Sequence, residues 1–422
     1  MREVVHIIQT PPFWIKTPPL SLTYLKSFLE KKGIVVRITD LNNILFHRTS
    51  STPKRWLTLN RAFEQDLFNQ AQKEHPGVFN SIYGHLKKAS AIGFSLLGRN
   101  APFTFSFAKE IKERFPKKHI IFGGPHTLFL EKEGKLNSCY WWVIGEGEIP
   151  FYTLISNTPI SNSRKKIYRF EEIEDLDTLP FYDFYPLRPK EYSGVLPLLS
   201  SRGCPHQCTF CSERLLSRTF RHHSPRYIIE QIKFLQKRYR LNNFVFCDSL
   251  INYKRAWLHE FCRLLIDHKL HVKWEAQMRV EKGFPQELAE LIKRSGCYNL
   301  FIGLESGSDR ILQCMNKGFT RSDAINFFKT LRTQNLHFEV SLIFGHPDES
   351  ENDFRETLQF ITQHQRDIPK IAQVNPFVDY LGAFKRAPYP TQEAKMRVSK
   401  FLKIVSAKKI KHTKSFINNL VY

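Results

Sequence analysis

The sequence predicts an α/β protein with two parallel sheets in series. Two observations point there. Short apolar runs alternate with amphipathic stretches along most of the chain, the pattern of parallel strands covered on both faces by helices. That alternation breaks once, at Arg164–Pro189, where acidic residues (Glu171, Glu172, Glu174, Asp175, Asp177) and prolines (Pro180, Pro186, Pro189) collect. The chain therefore divides into a first domain over residues 1–160, a linker over 161–192, a second domain over 193–388 and a basic tail over 389–422.

In the first domain, strands are predicted at Val4–Ile8, Ile34–Ile38, Ala91–Leu96, His119–Phe122 and Tyr140–Ile144. Helices are predicted at Leu20–Lys32, stopped by Gly33, and from about Ala101 to Phe115. Leu45–Lys88 is less regular and reads as a helical excursion. Three strands end in glycine-bearing turns: Gly93-Phe94-Ser95, Gly123-Gly124-Pro125-His126 and Gly145-Glu146-Gly147-Glu148. Glycines at successive strand ends let a large ligand approach the backbone, although ordinary strand-to-helix turns use them too.

In the second domain, strands at Leu196–Ser200, Asn243–Cys247, His271–Met278, Tyr298–Leu304, Phe338–Phe344 and Ile371–Val374 are separated by helical stretches. Ser224-Pro225 begins one helix, with Ile228, Ile232, Leu235 and Tyr239 on one face. Thr320 with Asp323 caps another. Right-handed crossovers build such a series into a partial or full barrel, with its chemistry at the carboxyl ends of the strands. The loop Cys204–Cys211, Asp248, Arg279, Glu305 and Gly345 all fall there.

Of eight cysteines, three sit together in Cys204-Pro-His-Gln-Cys208-Thr-Phe-Cys211. Soft thiolates suit zinc or iron–sulfur centres. A closed zinc site wants four ligands, and the nearby alternative, His206, lies inside the tight loop. Three thiolates on a four-iron cubane leave one iron open, which is useful only if something else binds it.

The spacing Cys204-x3-Cys208-x2-Cys211, with Phe210 before the last cysteine, resembles the signature of the radical S-adenosylmethionine (SAM) superfamily. The resemblance implies a [4Fe–4S] cluster on Cys204, Cys208 and Cys211. SAM would chelate the open iron and be cleaved to a 5′-deoxyadenosyl radical, with an electron donor such as flavodoxin or ferredoxin. Phe301-Ile302-Gly303-Leu304-Glu305-Ser306-Gly307 resembles the family's SAM-holding strand end. Phe210, Asp248, Arg279 and Glu305 are accordingly the candidate SAM residues, with a plain salt bridge the alternative for Asp248 and Arg279. No residue is assigned as catalytic. His346, in the Gly345-His346-Pro347 turn, departs from the family's usual small or apolar residue and reads as a bystander.

The first domain is similar to the cobalamin-binding domain fused ahead of many radical SAM enzymes. The implied fold is a Rossmann-like (flavodoxin-like) domain followed by a partial (β/α)6 TIM barrel. The candidate cobalamin residues are Ser95, Gly123, Gly124, Pro125, His126, Gly145, Glu146, Gly147 and Glu148. No Asp-x-His-x-x-Gly segment supplies a histidine to cobalt. The resemblance implies methyl transfer to an unactivated carbon of a small-molecule or lipid-like substrate, or, in other fused relatives, cyclisation or rearrangement without methyl transfer. A methylthiotransferase would need about three further cysteines in the first domain for a second cluster, where Cys139 stands alone. A nucleic-acid-binding protein with a structural metal is the reading from another class. The net charge of +23 favours it, but no recognisable nucleic-acid module accompanies the charge, and no specific nucleic acid is expected.

The chain opens on a strand, with no basic n-region followed by an apolar h-region, so no secretory signal is expected, and no apolar run approaches the ~18–20 residues of a membrane span. The expectation is a reducing cytoplasm. The tail from Lys395 sets Val398, Phe401, Leu402 and Val405 among Lys and Arg without Asp or Glu. It reads either as a basic amphipathic helix touching an anionic membrane or as a helix docked on the barrel.

Overall fold

The computed structural model describes residues 4–49, 56, 61–156, 166–169, 172–379 and 390–413. Parts of several predicted regions lie outside the described residues: positions 50–55 and 57–60 of the helical excursion, 157–160 at the end of the first domain, linker positions 161–165 and 170–171, the barrel end at 380–388, and the tail at 389 and from 414. The chain divides into two compact units between Leu196 and Pro197.

The first unit is a parallel sheet of six strands: β1 (Val4–Gln9), β2 (Val35–Asp40), β3 (Ala91–Ser95), β4 (His119–Gly123), β5 (Trp141–Ile144) and β6 (Ile167–Arg169). Their order is β2-β1-β3-β4-β5-β6. Alternation along each strand feeds two separate cores. Val5, Ile7 and Ile121 pack with Leu22 and Leu29 of α1 (Leu20–Lys31), and with Phe151 and Leu154 beyond β5. Ile8, Ile92, Phe94 and Phe122 face the opposite layer. That layer contains Phe68 of α3 (Arg61–Glu74), Phe79 of α4 (Pro76–Leu86), and Phe103 and Phe107 of α5 (Ala101–Arg114); α2 (Leu41–Arg48) adds Leu41 and Leu45. The layer is largely aromatic: Phe68 meets Phe103 edge-on at 5.1 Å, and Phe79 meets Phe107 at 5.7 Å. Gly93 is explained by packing in the opposite core, since a Cβ there would stand 3.1 Å from the Phe151 ring. The irregular stretch resolves into α3 and α4, while β6 is an edge strand within the segment read as linker.

The second unit holds β7 (Val195–Leu198), β10 (Asn243–Phe246), β11 (Lys273–Met278), β12 (Cys297–Glu305), β13 (Phe338–Phe344) and β14 (Ile371–Pro376), side by side in chain order. Pairing is parallel from β10 to β14, as a partial barrel requires. A two-stranded ribbon, β8 (Ser201–Arg202) with β9 (Arg221–His222), interrupts the series after β7. Leu300, Ile302 and Leu304 of β12 and Val340, Leu342 and Phe344 of β13 are buried on one face. Ser224 accepts from the Tyr227 amide at 3.1 Å, and Thr320 and Asp323 form a reciprocal cap. The helices not anticipated include Asp309–Cys314 and Glu351–Gln363. The second has a visible signal in Ser350 and Asp353, which form a capping box.

The helix Gln392–Ala407 turns Ala394, Val398, Phe401 and Val405 inward, all buried. Phe401 lies 4.8 Å from Phe344, and Arg397 donates to Glu349 at 2.6 Å. The apolar face that was a candidate for membrane contact is therefore spent on the barrel. Among the described residues no helix is long and apolar enough to cross a membrane. The helix also explains the Gly345 turn: φ is +85°, and a Cβ there would stand 2.3 Å from Ala394 Cβ. Gly345→Ala is predicted to cost about 2–4 kcal/mol, combining left-handed backbone strain with overpacking. Hydrogen exchange should show loss of protection across 392–407; unchanged protection there would contradict the packing account.

Candidate functional site

The cysteine loop leaves β8 through Gly203. Its φ of +79° and the 2.8 Å gap between an added Cβ and Thr219 O admit only glycine without rearrangement. The loop is then fastened to the turn after Asp309–Cys314. Thr209 N donates to Met315 O at 3.1 Å, Thr209 Oγ1 donates to Cys314 O at 3.1 Å, and Asn316 Nδ2 donates to Gln207 O at 2.9 Å. Within the loop, Cys211 N donates to Cys208 O at 3.3 Å. All three cysteines are free thiols. Burial raises the Cys204 thiol above its ordinary value and pushes Cys211 up to about 12, with repulsion from Glu213 and the neighbouring cysteines adding to it. Such thiols deprotonate readily only against a strongly positive centre.

Arg279, at the end of β11, points its Nη1 at Cys208 Sγ, 3.1 Å away. Its backbone amide is held by Asn252 Oδ1 at 3.0 Å. Burial, with repulsion from Arg279 and Lys317, lowers His206 to about 4 and keeps it neutral.

Asp248, at the end of β10, is buried. It accepts from Ser200 N at 3.0 Å, Ser200 Oγ at 2.7 Å and Ser201 Oγ at 2.5 Å. Burial outweighs these bonds and raises it to about 6. Its oxygens brace the stretch leading into the cysteine loop.

Glu305 has φ +70° at a register shift between β12 and β13. Its Oε1 pairs with Lys317 Nζ at 3.3 Å, and its Oε2 accepts from Ser341 Oγ at 3.1 Å. Lys317 also stands 5.8 Å from the Phe210 ring and 5.5 Å from Phe319. Phe210, Arg279 and Glu305 thus gather around the cysteine loop through Lys317 and Phe319, two residues the sequence did not single out. Neither belongs to a motif. The following Ser306-Gly307 is pinned in turn: Gly307 N donates to Thr357 Oγ1 at 3.0 Å, and a Cβ on Gly307 would meet Thr357 at 2.8 Å.

In the first unit, the nine residues proposed for a corrinoid lie at the carboxyl ends of β3, β4 and β5, which are neighbours in the sheet. Leu96 N donates to Gly123 O at 2.7 Å, and His126 N donates to Leu96 O at 3.2 Å. Gly124, with φ +96°, presses so closely on Leu96 O that a Cβ would stand 2.7 Å away. Ser95 O accepts from Asn100 Nδ2 at 2.9 Å. Ser95 and Gly123–His126 therefore form one interlocked pair of turns. Pro125 leads into α6 (His126–Lys132) and Glu148 opens α7 (Glu148–Ser156), with Glu148 buried. At the β5 exit, Gly145 has φ +91° and Gly147 has no atom within 4 Å of where a Cβ would stand, so backbone lies open there; Glu146 is half-buried. His126 Nδ1 is buried without a hydrogen-bond partner, and burial lowers the ring's pKa. An open glycine exit beside an orphaned ring nitrogen suits a bulky, polar-edged group.

Among the described residues no three His, Cys, Asp or Glu side chains are arranged to hold a single metal ion. A cluster spreads its ligand sulfurs wider than one ion does, and the three-cysteine loop is the candidate for one.

Residues 198–361 match the radical SAM superfamily. The match lies within the second unit, Pro197–Ile417. The match begins at the end of β7 and runs through the cysteine loop and Glu305 to the helix Glu351–Gln363. The chain is 28% identical over 294 residues to an uncharacterized methyltransferase of Pyrococcus horikoshii, covering 65% of this chain and 64% of that protein. It is 29% identical over 268 residues to bacteriochlorophyllide d C-12(1)-methyltransferase of Chlorobaculum tepidum, covering 62% and 58%. The chain thus spans about three fifths of the length of these curated relatives. Its fold is shared with the cobalamin-dependent SAM radical enzyme OxsB, solved with aqua-cobalamin and SAM bound. The TM-score is 0.69 at 17% identity, over 97% of this chain and 56% of that one.

Proposed function

We propose that the chain is a radical SAM methyltransferase that carries a [4Fe–4S] cluster on Cys204, Cys208 and Cys211 and a corrinoid at the β3–β5 exits. The observation that carries the reading is the loop of three free thiols, locked by Gly203, Thr209 and Asn316 at the strand ends of a parallel series. When bound, the cluster supplies one electron for cleaving the SAM sulfonium, and cobalamin supplies methyl transfer.

The chain's own residues do the positioning. Arg279 places a permanent positive charge against Cys208 Sγ. Asp248 fixes Ser200 and Ser201, and with them the entry to the loop. Lys317 holds Glu305 in its left-handed conformation beside Ser341. Phe210 and Phe319 flank the Lys317 ammonium with apolar surface. Ser95, Gly123–His126 and Gly145–Glu148 leave the backbone approachable for the corrinoid. A relative that methylates a bacteriochlorophyllide favours a small-molecule substrate, with a flavodoxin- or ferredoxin-type reductant as partner.

Anaerobic reconstitution with hydroxocobalamin tests the corrinoid half. After desalting, about one corrinoid per chain should remain, with its absorption changed by Gly147→Trp, which fills the open β5 exit. Complete loss of corrinoid from the wild-type chain would leave radical chemistry without cobalamin-dependent methyl transfer.

A further inference from the structure

The amino ends of β4, β5 and β6 carry a cluster that the proposed chemistry does not use. Lys166, just before β6, places Nζ 3.4 Å from the centroid of the Trp141 ring. His119, which opens β4, stands edge-on to that ring at 4.8 Å and 84°. Lys118 precedes it, with Nζ donating to Lys87 O at 2.9 Å. Lys112 approaches from α5, and its Nζ donates to Pro116 O at 3.0 Å. Among the described residues none of these three ammonium groups pairs with a carboxylate within 4.0 Å. Nearby acids are engaged elsewhere: Glu110 with Arg114, Glu113 with Lys109 and Glu131 with Arg169.

Two ring nitrogens in the same cluster are orphaned. Trp141 is 5% exposed, and its Nε1 is buried without a hydrogen-bond partner; His119 Nδ1 is also buried and unpartnered. An indole N–H can only donate, so its missing partner is an acceptor. Orphaned buried donors in a native fold call for a bound water or ion. Water would satisfy the indole but leave the ammonium groups around it without a carboxylate partner. Their repulsion is felt locally: burial lowers His119, and Lys112, Lys166 and Lys118 lower it further.

We propose that Lys112, Lys118, His119, Trp141 and Lys166 form a binding site for a phosphate-class oxyanion. Its oxygens would accept from the indole and imidazole N–H groups and face the three ammoniums. Sequence patterning hid the site, because its members come from four separate segments and form no motif.

The test uses the full chain labelled with 15N at tryptophan, with the Trp141 indole signal assigned through Trp141→Phe. Inorganic phosphate, titrated at constant ionic strength against chloride, should move that signal saturably. Lys112→Gln/Lys166→Gln should weaken the response about tenfold or more, since each removed group contributes a charge-assisted bond. A nucleoside monophosphate that binds tenfold more tightly than inorganic phosphate would assign the phosphoryl group to a larger ligand; equal affinity would assign a free oxyanion. A Trp141 signal indifferent to millimolar phosphate, or an equal response in the double variant, would overturn the site. The readout needs neither cluster nor corrinoid, so its failure would leave the radical SAM reading untouched.

Discussion

Cys208→Ala should take 5′-deoxyadenosine formation to background in anaerobically reconstituted protein. Of the three loop cysteines, Cys208 is the most buried and the one that Arg279 faces at 3.1 Å. Changes confined to the surroundings of a metal site already cost about 10–100-fold; losing a ligand sulfur should cost more than either. Iron should fall below about four per chain, because a cubane with two protein sulfurs is poorly held. Cys139→Ala, in the first unit, serves as the matched control and should cleave SAM at the wild-type rate. Corrinoid retention should be unchanged in Cys208→Ala. Substantial SAM cleavage by that variant would refute the ligand assignment.

Lys317→Met should destabilise β12 by about 3–5 kcal/mol. The Lys317 and Glu305 side chains are only 5% and 9% exposed, and their atoms meet at 3.3 Å. Removing one member of a buried pair leaves a charge with neither water nor partner, which costs far more than the pair contributes. Glu305 keeps only Ser341 as a neutral donor. The double variant Lys317→Met/Glu305→Gln should recover much of the loss, because no charge is then stranded. Hydrogen exchange at Ile302 and Leu304 in the apo protein reports the local opening free energy. If Lys317→Met falls within about 1 kcal/mol of wild type, the pair is not what holds this strand end.

The cysteine loop was legible because ligation demands a residue type at a fixed spacing, and a strand–helix series demands a hydrophobic period. Both are properties of neighbouring residues. The partial barrel, the caps at Ser224 and Thr320, and the strand-end placement of Asp248, Arg279 and Glu305 follow from such local signals. The partners of those residues did not follow. Asp248 turns to Ser200 and Ser201, 48 and 47 residues away, and Arg279 reaches across 71 residues to Cys208. Lys317 carries no pattern at all; a solvated lysine reads identically in sequence. Gly93, Gly124 and Gly345 show the same limit. Each was conspicuous as a glycine, but the cause was a neighbour brought by the fold: the Phe151 ring, the Leu96 carbonyl and the Ala394 methyl. The tail helix illustrates a genuine tie. Its apolar stripe suited either a membrane or a barrel, and only the burial of Val398, Phe401 and Val405 decided between them.

The measurement that bears most directly on the whole account is EPR of the reduced, anaerobically reconstituted chain with and without SAM. One iron free of protein sulfur predicts a reduced [4Fe–4S] signal whose g-values shift when SAM is added, with hyperfine coupling from a SAM labelled with 15N at its amino group. A spectrum identical in both conditions, or a chain that binds zinc in preference to iron at this loop, would contradict it.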